Sequence, residues 1–68
     1  MSIRAWARKA QKGDALLYHT GLLMRDRQRN GVLHSVADVL WSMHERGALA
    51  LVQHKRGDFD YDYIAIKT

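Results

Sequence analysis

Apolar positions in the segment SIRAWARKAQK, residues 2–12, recur at Ile3, Trp6 and Ala10, while Arg4, Arg8, Lys9 and Lys12 lie largely off that stripe. Spacings of three and four predict a helix with one narrow apolar face. Ser2 suits its start as a cap, and Gly13 suits the left-handed position past its end. The short apolar run ALLYH, 15–19, follows Gly13-Asp14 and reads as a strand. The next stretch, TGLLMRDRQRNG, admits two readings. Thr20 caps a short helix over 21–28, or Thr20-Gly21 is a tight turn and 22–28 is a second strand paired with the first. The helix is favoured, because Leu-Leu-Met followed by charged residues has little β-branched content.

Asn30-Gly31 reads as a break. Beyond it Val36, Val39, Leu40 and Met43 repeat at helical spacing, with His34, Ser35, Asp38, Ser42 and Glu45 facing outward and Trp41 at the stripe's edge. Ser35 followed by Asp38 resembles a capping box, and Gly47 ends the helix. Residues 48–67 predict a β-hairpin, ALALVQHKR and FDYDYIAIKT flanking a two-residue turn at Gly57-Asp58. That turn sets a register in which Arg56 faces Phe59, Lys55 faces Asp60, His54 faces Tyr61 and Val52 faces Tyr63. Leu49, Leu51, Ile64 and Ile66 would then share the core face, with Gln53, Lys55, Asp60 and Asp62 toward the tip. Val52, His54, Arg56, Phe59, Tyr61 and Tyr63 would share the other.

The predicted order is helix, strand, helix, helix, strand, strand, an α+β fold in one domain over residues 1–68. This order resembles the winged helix-turn-helix arrangement. The resemblance implies that the third helix enters a DNA groove and that the hairpin at 48–67 is the wing. GDALLYHTG, RDR and the closing YDYIAIKT are also similar to small proteins of phages and prophages, which implies a compact regulatory or accessory role.

Length and composition narrow the picture. Sixty-eight residues make one domain with a limited core, which leaves a dimer or an ordering partner open. With 47% hydrophobic residues the chain is expected to fold. The absence of cysteine excludes a disulfide framework and thiolate chemistry. No signal-peptide core and no run near ~20 apolar residues is present, so a cytoplasmic protein with no membrane partner is expected. The net charge of +4 is unevenly placed: seven cations stand against two acids in residues 1–30, and four against five in 31–68. An anionic partner is therefore sought on the N-terminal half.

Catalytic chemistry has little support. No nucleophile elbow, phosphate-binding glycine loop or Cys-His pair occurs, and Ser35 is better explained as a cap than as a nucleophile. His19, His34, His44 and His54 form no ligand spacing, so no metal, cofactor or small-molecule substrate is expected. The RGD at 56–58 is explained by the turn. The leading expectation is a phage-like transcriptional regulator that binds duplex DNA. Arg25, Arg27, Arg29, Lys55 and Arg56 would meet phosphates, and His34 and Ser35 would stand near base edges. The alternative is an interaction module or inhibitor that docks on a host protein, or on its own copy, through His54, Phe59, Tyr61 and Tyr63. Asp38 and Glu45 on the third helix, and Asp58, Asp60 and Asp62 on the hairpin, argue against the DNA reading.

Overall fold

The computed structural model describes residues 3–68. In chain order it consists of α1 (Ile3–Lys9), β1 (Ala15–Gly21), α2 (Leu23–Asp26), α3 (Gly31–Glu45), β2 (Leu49–Gly57) and β3 (Asp60–Lys67). The strands form one antiparallel sheet in the order β1-β3-β2, so β3 is central. Among the described residues no helix is long and apolar enough to cross a membrane.

α1 stops at Lys9, short of the expected Lys12. Gln11 N donates to Asp14 Oδ2 at 2.9 Å, and Gly13 (φ +94°) and Asp14 bond the backbone of Lys67, so the chain leaves the helix early to enter the sheet. The proposed Ser2 cap lies outside the described residues. Ile3 and Trp6 pack on the core as expected, and Ala7, outside the expected stripe, is the buried residue of α1.

β1 runs two residues further than predicted and takes in Thr20 and Gly21. Thr20 therefore caps nothing; its hydroxyl donates across the sheet to Asp62 Oδ1 at 2.8 Å. The helical reading of the following stretch holds, but only for Leu23–Asp26, with Leu22 at the N-cap and no side-chain cap from outside. Asp26 supplies the missing acceptor from within, receiving the Leu22 N–H at 3.1 Å.

α3 begins at Gly31, four residues before Ser35, and Asn30 is its N-cap, its side-chain oxygen accepting from Leu33 N at 3.1 Å. The predicted Ser35–Asp38 capping box is thus displaced: both residues sit inside the helix on its exposed face. Asn is among the strongest N-cap residues, and an earlier start adds Leu33 to the buried stripe of Ala37, Leu40 and Met43. Leu40, Met43, Leu49, Ala65 and Ala7 form the core cluster.

The hairpin register differs from expectation by one residue. Gly57 faces Asp60 around an Asp58-Phe59 turn, a bulge falls at Arg56, and Lys55 faces Tyr61, His54 faces Asp62, Gln53 faces Tyr63 and Val52 faces Ile64. A one-residue slip exchanges the faces of one strand. Tyr61, Tyr63 and Ala65 accordingly lie with Leu49 and Leu51 on the helix side, while Ile64 and Ile66 join Val52, His54 and, from β1, Leu17 on the outer side. The cause lies in β3's central position. It must serve β1 as well as β2, and this register places Ala65, fully buried, in the core cluster. Phe59 absorbs the cost, held at φ +57° in the left-handed region that non-glycine residues avoid.

Candidate binding face

The corner between β1 and α2 is built on Asp26. Its Oδ2 accepts from His19 Nε2 at 2.8 Å and from Leu22 N, and its Oδ1 takes the Arg25 Nε–H at 3.0 Å. The His19 hydrogen bond, followed by that of Arg25, holds the Asp26 carboxyl below the ordinary carboxylate range. A second tie crosses to the sheet, where Leu23 N donates to the Tyr63 hydroxyl at 3.0 Å. Tyr63 is buried beside Tyr18 and His19. Burial, and next the neighbouring Tyr63, push the Tyr18 phenol above its usual range.

Arg27 leaves the end of α2 and closes on α3. Its Nη2 bonds the Asp38 carboxylate, and its Nε donates to His34 Nδ1 at 3.3 Å, while His34 Nε2 lies 3.3 Å from Asp38. Arg27, His34 and Asp38 thus form one cluster across the short connection between the two helices. Of the two outward carboxylates of α3, Asp38 carries a guanidinium, whereas exposed Glu45 has no ion pair among the described residues.

The residues singled out from the sequence fall into three places. Arg25, Arg27, Arg29, His34 and Ser35 gather at the α2–α3 corner. Lys55 and Arg56 lie at the hairpin tip, where Lys55 Nζ is 3.9 Å from Asp58 and Arg56 Nη1 is 3.8 Å from Asp62. Arg25, Arg27, Lys55 and Arg56 all have carboxylate partners, whereas Arg29 has no ion pair among the described residues. Three members of the aromatic set stay together: Phe59, Tyr61 and Tyr63 line one open space on the helix side, Tyr63 itself buried, whereas His54 is on the outer face.

That open space is a groove. A cavity of about 790 Å³ lies between α2 and the hairpin, and one of about 500 Å³ continues toward α3; Leu23, Arg27, Gln53 and Tyr63 line both. Met24 (75% exposed), Phe59 (73%) and Trp41 (56%) stand along it. Met24 and Gln53 were not anticipated. One signal was present: a single helical turn cannot bury Leu22, Leu23 and Met24 at once, so one of three consecutive apolar residues had to face out. Among the described residues, no group of three or more His, Cys, Asp or Glu stands together as a metal site requires. The chain matches no protein-family model, no curated protein and no solved structure.

Proposed function

We propose that this is a winged-helix-type domain that binds duplex DNA mainly through its phosphates, as a small phage-like regulator of transcription would. The order of elements, the β1-β3-β2 sheet and the short α2–α3 connection support this reading. The observation that carries it is the Arg27–Asp38 contact. Carboxylates on the outward face of α3 would repel a polyanion; Arg27 neutralises Asp38 in place, and Glu45 lies at the far end of the helix from His34 and Ser35. α3 would then lie in the major groove, with His34 and Ser35 in its first turns nearest base edges. Arg25 and Arg29 would reach phosphates on one side and Lys55 and Arg56 on the other.

Titration against random duplex DNA over a range of salt concentrations tests the reading. Affinity is expected to fall steeply with salt, and Arg25→Ala with Arg29→Ala should flatten the logarithmic slope by about 2, near one unit per lost phosphate contact. No binding at low salt overturns it.

The exposed Met24, Phe59 and Trp41 favour a second reading, docking of a protein in the groove. Tyr61 on its floor is the residue to change. A partner captured from host lysate should be lost with Tyr61→Ala, and full retention counts against the groove.

A further inference from the structure

We infer that the charged face of α1 is a phosphate-contacting surface for duplex DNA, separate from the α2–α3 corner and the hairpin tip. The inference rests on the DNA reading for its partner, but not on α3 or the hairpin for its contacts.

Most of the net charge resides there. Residues 1–14 hold four cations, Arg4, Arg8, Lys9 and Lys12, against Asp14, whereas residues 15–68 hold seven cations against six acids. Pairing sharpens the contrast. At the corner and the tip, Arg25, Arg27, Lys55 and Arg56 each face a carboxylate. Arg4, Arg8, Lys9 and Lys12 are all exposed, and none has an ion pair among the described residues. Asp14 does not neutralise them: its Oδ2 accepts the Gln11 N–H at 2.9 Å, and it borders a shallow hollow with Lys9 without pairing to it. On α3, against which α1 packs, Asp38 is held by Arg27 and Glu45 pairs with no cation.

This arrangement works against the helix. α1 has seven residues, too few to be stable by itself, and no acid in its first turn. Arg4 stands at the positive end of the helix dipole, and Arg4 and Arg8 are spaced i, i+4, where like charges repel. An anion lying across that face relieves both penalties.

The kind of anion follows from what the face lacks. A helix lying on a membrane gives its apolar side to lipid, but Ile3, Trp6 and Ala7 are committed to the core. A protein interface is organised around buried aromatic or aliphatic anchors, and the exposed residues of α1 are Arg4, Arg8 and Lys9. What remains is positive charge on a rigid element, with Arg4 and Arg8 one turn apart. That suits a sugar-phosphate backbone, which is held by cations without reading of bases.

Titration of the full chain with random duplex DNA over a range of salt concentrations tests the inference. Arg4→Gln, Arg8→Gln and Lys9→Gln together should flatten the logarithmic salt slope by about 2–3, near 0.9 per lost phosphate contact. The variant should melt no lower than the parent, since glutamine forms helix nearly as readily and the repulsion is gone. Arg4→Lys with Arg8→Lys keeps the charges and should leave the slope unchanged. A glutamine variant with the parent's slope overturns the inference and leaves the Arg25 and Arg29 contacts standing. A slope that responds to α1 but not to Arg25→Ala with Arg29→Ala supports it and removes the docking of α3 instead. Binding to vesicles of phosphatidylserine and phosphatidylcholine, with none to duplex DNA, overturns it in favour of a membrane surface. A parent that binds neither overturns both this inference and the DNA reading.

Discussion

At the scale of single residues, Asp26 and Gly21 act together. Gly21 has φ +133°, and a Cβ there would stand 2.6 Å from Asp26 Oδ2, the atom that already receives His19 and Leu22 N. Gly21→Ala is expected to cost about 1–3 kcal/mol, through backbone strain and displacement of that carboxylate, read as a lower urea midpoint. Asp26 also links this corner to pH. Its carboxyl is held below the ordinary value of 3.8 by His19 first and Arg25 second. A carboxylate depressed in the folded state stabilises fully above its unfolded pKa, and that contribution is lost as pH falls through the lower folded value. Urea midpoints of the parent and Asp26→Asn should therefore differ most near neutrality and converge in acid below pH ~4. Midpoints that stay equally far apart down to pH ~2 would remove Asp26 from the account.

At the scale of elements, the helix starts separate two readings of one segment. Asn30→Ala should cost about 1 kcal/mol, because its side chain satisfies an otherwise unpaired N–H of α3. Ser35→Ala, on the exposed face and inside the helix, should change stability by no more than about 0.5 kcal/mol. The opposite ranking would restore Ser35 as the cap. The stripe of Val36, Val39, Leu40 and Met43 was legible because helical periodicity is local. The true start was not, since Asn30-Gly31 has the composition of a turn whether it ends one element or caps the next. The hairpin shows the same limit. Gly57-Asp58 is a sound local turn signal, but register answers to both neighbours of β3, and the register adopted puts Ala65 in the core and Phe59 in the left-handed region. The arginine cluster was legible as charge; that Arg27 would close on Asp38 depended on where α3 begins.

At the scale of the whole molecule, shape explains the thin margin of the fold. The radius of gyration is 11.7 Å, against about 11 Å for a compact domain of this length. The accessible surface is 4809 Å², against about 4,400 Å² expected from the mass. Both excesses accord with a hairpin that extends beyond the helical layer. Leu40, wholly buried at the centre of the core, then carries a large share of what remains. Leu40→Ala should cost about 3 kcal/mol or more, a large fraction of the total for so small a domain, and leave a chain without cooperative thermal unfolding at low concentration. A sharp transition near the parent's melting temperature would show that the core lies elsewhere.

The middle place of β3 in the sheet also sets a timetable. During synthesis β1 emerges first, and its only strand partner lies more than one α3 and one β2 further along the chain. The local β2–β3 hairpin can close quickly, whereas docking β1 onto β3 is a long-range step that must wait for it. Until that docking, the exposed run from Leu16 to Tyr18 is an unpaired apolar strand. The interval before β3 docks is therefore when β1 is most open to mispairing.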